Sequence, residues 1–203
     1  MDASVRVVLI GGTSHVGKST LAQALAERLG WASRSTDQLA RHPGRPWRPP
    51  GEDVPAHVAE YYLDLTDEAR LASVLAHYRN IWPLAEALVR RHGKDPSAER
   101  LVLEGSALWP EQAAALTLPS AAAVWLTGSA ALVEDRIRRE SHYDGADRRG
   151  RAMIDAFIER SLRFDRLMMD EVRRLGLAHL EVAGNTDVDV LADRCLSAVR
   201  PWA

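Results

Sequence analysis

The sequence predicts an α/β fold in three layers, a parallel sheet of about five strands with helices on both faces. Two observations carry this. Short, largely apolar runs at residues 5–10, 100–105 and 121–127 read as strands buried on both faces. Between them lie longer stretches with apolar residues at helical spacing, and strands that alternate with helices run parallel.

The elements follow in order. Residues 5–10, almost unbroken in Val, Leu and Ile, form the first strand. Leu21, Ala22, Leu25, Ala26 and Leu29 give a helix over 19–29 its apolar face, and Gly30 closes it. A second strand over 31–34 leads to Ser35, Thr36 and Asp37. Residues 42–55 hold Pro43, Pro46, Pro49, Pro50 and Pro55 among Arg and Trp, a density that suits a surface loop and neither helix nor central strand. Helical spacing returns over 57–92, with a start at Thr66 and Asp67, a kink or break at Pro83, and an end at Gly93 and Pro96. After the strands at 100–105 and 121–127, Ser129 caps a helix that runs to Glu140. An Arg- and Asp-rich stretch over 142–151 interrupts the pattern. A long helix over 152–175 then stops at Gly176, and a last strand at 179–182 precedes a final helix. The 203 residues fit one domain, with a helical substrate insert at 38–97 and an Arg-rich lid at 140–152.

Composition narrows the function classes. A net charge of −2 and a pI near 6.4 argue against a nucleic-acid partner, which calls for a basic footprint. No apolar run reaches the length of a membrane span, so no membrane partner and a cytoplasmic location are expected, as a monomer or homodimer. Cys195 stands alone, which excludes an intrachain disulfide and points to a buried thiol. All but two of the 26 Lys and Arg residues are Arg, so placement, and not abundance, has to carry any claim about an arginine.

The strongest local signal is Gly12, Thr13, Ser14, His15, Val16, Gly17, Lys18 and Ser19. They match G-x-x-x-x-G-K-[ST], the phosphate-binding P-loop, which chance supplies in about 1% of chains this long. A buried strand precedes the match and an amphipathic helix follows, as the chemistry requires. Glycines let successive N–H groups turn inward on phosphate oxygens, and the helix N-terminus adds partial positive charge. Residues 12–20, through Thr20, therefore form the expected nucleotide cradle. Lys18 is placed on the β- and γ-phosphates, exposed while the loop is empty, and the Ser19 hydroxyl on Mg²⁺. His15 either touches the acceptor or points to solvent.

The order of P-loop, short strand ending in Asp37, helical insert, Leu101-Val-Leu-Glu104-Gly105 strand and Arg-rich lid resembles the nucleoside monophosphate and shikimate kinase superfamily across nearly the whole chain. Residues 11–20 and 103–110 look most like 2-phosphoglycerate kinase and related P-loop kinases, and Asp37 is similar in position to an Asp of chloramphenicol phosphotransferase. The Pro, Arg and Trp loop matches none of them. The resemblance implies a kinase that uses ATP or GTP with Mg²⁺ on a small-molecule acceptor. A P-loop module that hydrolyses slowly and regulates a partner is the other class, and Asp37 and the lid speak against it.

Candidate residues follow. Asp37 is the candidate general base for a hydroxyl acceptor, the bland alternative being a cap on a helix starting near Gln38. Glu104, at a strand's carboxyl end, is placed on Mg²⁺ through water or on the substrate, or else pairs with an Arg. The resemblance puts Arg136 against the nucleotide base and Arg139 toward the phosphates. Arg148, Arg149 and Arg151 reach the phosphates only after lid closure, and Arg160 and Arg163 are secondary. Arg41, Arg45 and Arg48 suit an anionic acceptor; Trp47, Tyr61 and Tyr62 suit a ring. The backbone at 185–187 is expected along the purine edge.

Overall fold

The computed structural model describes residues 2–40, 44–49 and 51–199. Five strands form one sheet: β1 (Val7–Gly12), β2 (Ala32–Ser35), β3 (Leu101–Glu104), β4 (Ala121–Gly128) and β5 (His179–Val182). Their order is β2-β3-β1-β4-β5 and every pair is parallel. β1 is central, so the chain leaving it emerges between the ends of β3 and β4, where ligands of open parallel sheets bind.

Strand sequences match their positions. β1 is buried along its whole length; Val8 and Ile10 face one core, Val7 and Leu9 the other, because side chains alternate. β4 divides likewise, with Ala122, Val124 and Leu126 on the first face and Ala121, Ala123 and Trp125 on the second. At the sheet edge, β5 exposes His179 and Glu181 and buries Leu180 and Val182. The Trp125 ring lies so close to Gly11 that a Cβ there would sit 2.3 Å from it, and its indole Nε1 donates to the Leu108 carbonyl at 3.0 Å.

Helices α1 (Lys18–Leu29) and α7 (Val188–Ala198) cover the first face. The second carries α3 (Asp67–Lys94), α4 (Pro110–Ala114) and α6 (Arg148–Arg174). A third cluster joins α2 (Ala56–Leu63), α5 (Ala130–Glu140) and the start of α6 around Tyr62, Ile137 and Phe157, off the sheet. Gly30 is left-handed at the end of α1, and Thr66 and Ser129 cap α3 and α5 through their side chains. Cys195 is fully buried, which pushes its thiol up to about 12.

The 57–92 region holds two helices, the second starting after Thr66 as its cap signal implies. Two expectations need correction. α3 then runs through Pro83 without a break; Pro83 and Arg79, whose carbonyl loses its partner, are both exposed, so water can take the bond. α6 starts at Arg148 and not at 152, because the Asp147 carboxylate accepts from Gly150 N at 2.6 Å. Arg148, Arg149 and Arg151 therefore stand on a helix's first turn, and the segment between α5 and α6 keeps only the 3₁₀ turn Tyr143–Gly145.

Gly105, at the end of β3, has φ +155, and a Cβ there would lie 1.8 Å from Thr36 Oγ1. Gly30 has φ +67 with nothing within 4 Å. Urea denaturation should therefore separate them: Gly105→Ala loses about 3 kcal/mol from strain and overpacking together, Gly30→Ala about 1 kcal/mol from backbone strain alone. Equal losses would mean that the close approach of β3 to Thr36 is not rigid.

Candidate active site

The loop after β1 turns on two glycines and leads into the start of α1. Gly12 (φ +146) and Gly17 (φ +111) adopt conformations that other residues rarely take. A Cβ at Gly12 would come within 2.8 Å of the Leu126 carbonyl. α1 begins at Lys18 with no side-chain cap and no acid in its first turn, so its first N–H groups are left for a ligand. Thr13 is turned inward, its Oγ1 donating to the Ser161 carbonyl of α6 at 2.9 Å, and Val16 lies in the core. Both can serve a nucleotide only through their backbone. Ser19 and Thr20 stay exposed.

Lys18 departs from expectation. It is 8% exposed, with Nζ donating to the Thr13 carbonyl at 2.6 Å. Burial holds its ammonium below the usual lysine range, against the opposing pull of Glu104 and Asp37. His15 does not point to solvent, although it borders the cavity over the loop. Its side chain is 4% exposed, with the backbone at φ 63 and the ring against Trp47 and Phe157, each with centroids 5.8 Å apart. Burial holds it down to about 4 despite Glu140, whose Oε2 is 3.0 Å from Nε2, so the ring is neutral at physiological pH.

A cavity of about 630 Å³ opens over the loop, lined by Lys18, Ser19, Thr20, Arg136, Arg139 and Thr186 among others. Arg136 donates to the carbonyls of His15 and Val16, 3.1 Å each, so it braces the loop while bordering the cavity. Arg139 borders it too, but is paired with Asp135 and largely exposed. At the lower corner Ser19 Oγ donates to Glu104 Oε1 at 3.2 Å, and Glu104 is 6% exposed. A hydroxyl and a carboxylate, both hard oxygen donors, fit Mg²⁺ shared with nucleotide phosphates. Among the described residues no cluster of three or more His, Cys, Asp or Glu offers a site made by the protein alone.

A second cavity, about 470 Å³, lies across the loop crest at Ser14 and is lined by Asp37, Arg45, Arg48, His57, Tyr78 and Arg160 among others. Asp37 is exposed on the turn Thr36–Gln38, and the cap of that turn is Ser35, which accepts from Asp37 N at 3.3 Å. The Asp37 carboxylate therefore caps nothing. Arg48 donates to the carbonyls of Arg45 and Trp47, 2.6 and 2.7 Å, and stiffens its own loop.

The sequence undervalued Arg160. It is 6% exposed on α6, its guanidinium 4.6 Å from the Phe157 ring centroid, and it donates to Tyr62 Oη at 2.9 Å. Tyr62 Oη donates in turn to the Gly44 carbonyl at 2.7 Å, which ties α6 to the 44–49 segment. Among the described residues only Arg70 and Arg160 are buried arginines. Arg70 has Asp67, whereas Arg160 has no carboxylate. Burial pushes Tyr62 and Tyr78 beside it up to about 12, so they stay neutral, and among the described residues its charge meets phenols and an aromatic ring but no carboxylate. Helical periodicity alone could not reveal this; the cue available was an Arg three residues after Phe157 on an otherwise apolar face.

Two expected members lie elsewhere. Glu104 belongs to the Ser19 corner, and Trp47 stacks edge-on against Phe157 at 5.0 Å and lines a separate cavity with Met153 and Ile154. Arg149 borders that same cavity, and none of Arg148, Arg149 and Arg151 lines the loop cavity. Arg151 is spent on the carbonyls of Asp144 and Ala146, and Arg163 pairs with Glu68 at the surface. Arg41 lies outside the described residues.

No protein-family model matches the chain, and no curated protein matches it in sequence. Solved structures match along nearly its full length. A sugar kinase from Janibacter sp. HTCC2649 covers 96% of this chain and 94% of its own, with a TM-score of 0.53 at 19% identity. A shikimate kinase from Bacteroides thetaiotaomicron covers 94% and 96%, with a TM-score of 0.50 at 13% identity. An uncharacterized protein from Eubacterium ventriosum ATCC 27560 covers 94% and 96%, with a TM-score of 0.53 at 15% identity. At such identities the likeness is one of fold, and the chain has the three-layer α/β fold of the P-loop small-molecule kinases.

Proposed function

We propose that the protein transfers the γ-phosphate of ATP, with Mg²⁺, to a hydroxyl of a small anionic molecule. The observation that carries this reading is the pairing of Asp37 with the uncompensated Arg160 in one cavity across the loop from Lys18. A buried cation without a counter-charge is costly, and an acceptor carboxylate or phosphate would supply that charge. The same acceptor would present its hydroxyl to Asp37, whose free carboxylate takes the proton as the phosphoryl group arrives. The α1 N-terminus and Lys18 would hold the phosphates, Lys18 exchanging the Thr13 carbonyl for phosphate oxygen. Ser19 and Glu104 would hold Mg²⁺, which neutralises charge between the β- and γ-phosphates when bound. Arg136 and the chain near Thr186 would frame the base, and Arg139 would reach the phosphates by releasing Asp135. Fold analogy alone would not name the acceptor; a cavity with three arginines and one acid favours an anion over a neutral ring.

Lys18→Met should keep the fold, since it removes a buried charge, and should lose nucleotide binding by calorimetry. Retained affinity would place the phosphates elsewhere. A thermal-shift screen of hydroxy acids, sugar phosphates and nucleosides, with a non-hydrolysable ATP analogue present, should identify anionic hydroxy compounds as stabilisers. With such an acceptor, Asp37→Asn should lower turnover by about 100-fold or more at nearly constant nucleotide affinity. A change of only a few-fold would mean that the acceptor is already ionised.

Arg160→Met provides the sharper contrast. It should raise the acceptor KM by about 100-fold, as the loss of a buried charged contact does, while its urea midpoint stays level or rises because an unpaired buried charge is gone. A clear loss of stability would show that Arg160 serves the fold and would remove the anionic acceptor from this reading.

A further inference from the structure

Among the described residues Arg45 alone lines both the loop cavity and the Asp37 cavity, so it stands where phosphate donor and acceptor would meet. Its guanidinium pairs with Glu140, the last residue of α5. Glu140 itself lines the loop cavity, which sets a carboxylate where a nucleotide would bring further negative charge. We propose that Arg45 is a catalytic arginine for the transferred phosphoryl group, and that Glu140 holds it in reserve until a triphosphate displaces it. This rests on the nucleotide site proposed above.

The geometry suits such an exchange. The Arg45 and Glu140 side chains are 55% and 43% exposed, and pairs in that setting are weak. The backbone beneath is fixed: Tyr62 Oη holds the Gly44 carbonyl, and Arg48 holds that of Arg45. The side chain can therefore swing while its base stays. A ligand shifts such an equilibrium only through contacts that differ between the two states. Here the differing contact is the terminal phosphate, because Lys18 to Thr20 lie at the start of α1 and Arg45 lies at the border with the acceptor cavity. A diphosphate would not reach it. Arg45 would thus read whether the nucleotide is charged, and on moving would turn from a carboxylate to the oxygens that gain charge in transfer.

The test is calorimetric, with ADP and a non-hydrolysable ATP analogue, each with Mg²⁺, on the unaltered protein and two variants. Arg45→Ala should weaken the analogue about tenfold or more and leave ADP within about twofold. Glu140→Gln should tighten the analogue several-fold, again sparing ADP. If both nucleotides bind and Lys18→Met abolishes binding, but Arg45→Ala leaves the ratio of the two affinities unmoved, the inference fails while the nucleotide site stands. A loss in Arg45→Ala without a gain in Glu140→Gln overturns the holding role of Glu140. If the unaltered protein binds neither nucleotide, both readings fall.

Discussion

Burial of positive charge around one backbone turn is the constraint on which the site rests. Lys18 is folded onto the Thr13 carbonyl and Arg160 is sealed among tyrosines, and both are out of water on either side of the same loop. A carbonyl is a poor substitute for an anion, and neutral phenols are poorer. The fold tolerates this because the loop is held independently of any ligand: Thr13 is tied to Ser161, Val16 is in the core, and Arg136 clasps two loop carbonyls. An anion entering either cavity would then meet a backbone already in place, so its binding energy goes into re-aiming side chains such as Lys18 and not into ordering the loop.

Much of this was legible in the sequence, for reasons that lie in local chemistry. Gly12, Gly17 and Lys18 mark a backbone shape that few sequences can form, and Thr66, Ser129 and Gly30 mark helix ends through their own hydrogen bonds or φ. Asp37 could be placed because β2 has to end beside β3 in a parallel sheet. What escaped depends on packing between distant segments. An arginine on an amphipathic helix is normally solvated, and it takes the packing of Tyr62 from α2 and Tyr78 from α3 against α6 to bury Arg160. His15 was read as a loop residue facing ligand or water, yet Trp47 and Phe157 close over it. The early start of α6 was legible in principle, since Asp147 precedes Gly150 at capping distance, but the density of charge there obscured it.

Residues 44–49 illustrate how side chains can hold a proline-bearing segment without regular structure. Its prolines forbid a ladder of backbone bonds, so side chains supply them instead: Tyr62 to Gly44, and Arg48 to the carbonyls of Arg45 and Trp47. Trp47 anchors the loop against Phe157, one helical turn from Arg160 on α6. Trp47, read from the sequence as a ring contact, packs its large indole face on α6 and so holds the segment that carries Arg45 and Arg48.

The arginine-rich composition resolves in the same way. Among the described residues six of these side chains are answered by acids a turn away on their own helix, among them Arg90 with Glu86, Arg138 with Glu134 and Arg139 with Asp135; exposed pairs of this kind decorate a surface and contribute little. Three arginines near the loop are partnered differently. Arg136 meets carbonyls, Arg160 a phenol, and Arg45 an acid from another element. A guanidinium bound to a neutral acceptor keeps its charge available to a ligand, and one bound to a distant acid keeps a partner it can exchange. Function in this chain is thus distinguished from composition by what each arginine has been denied.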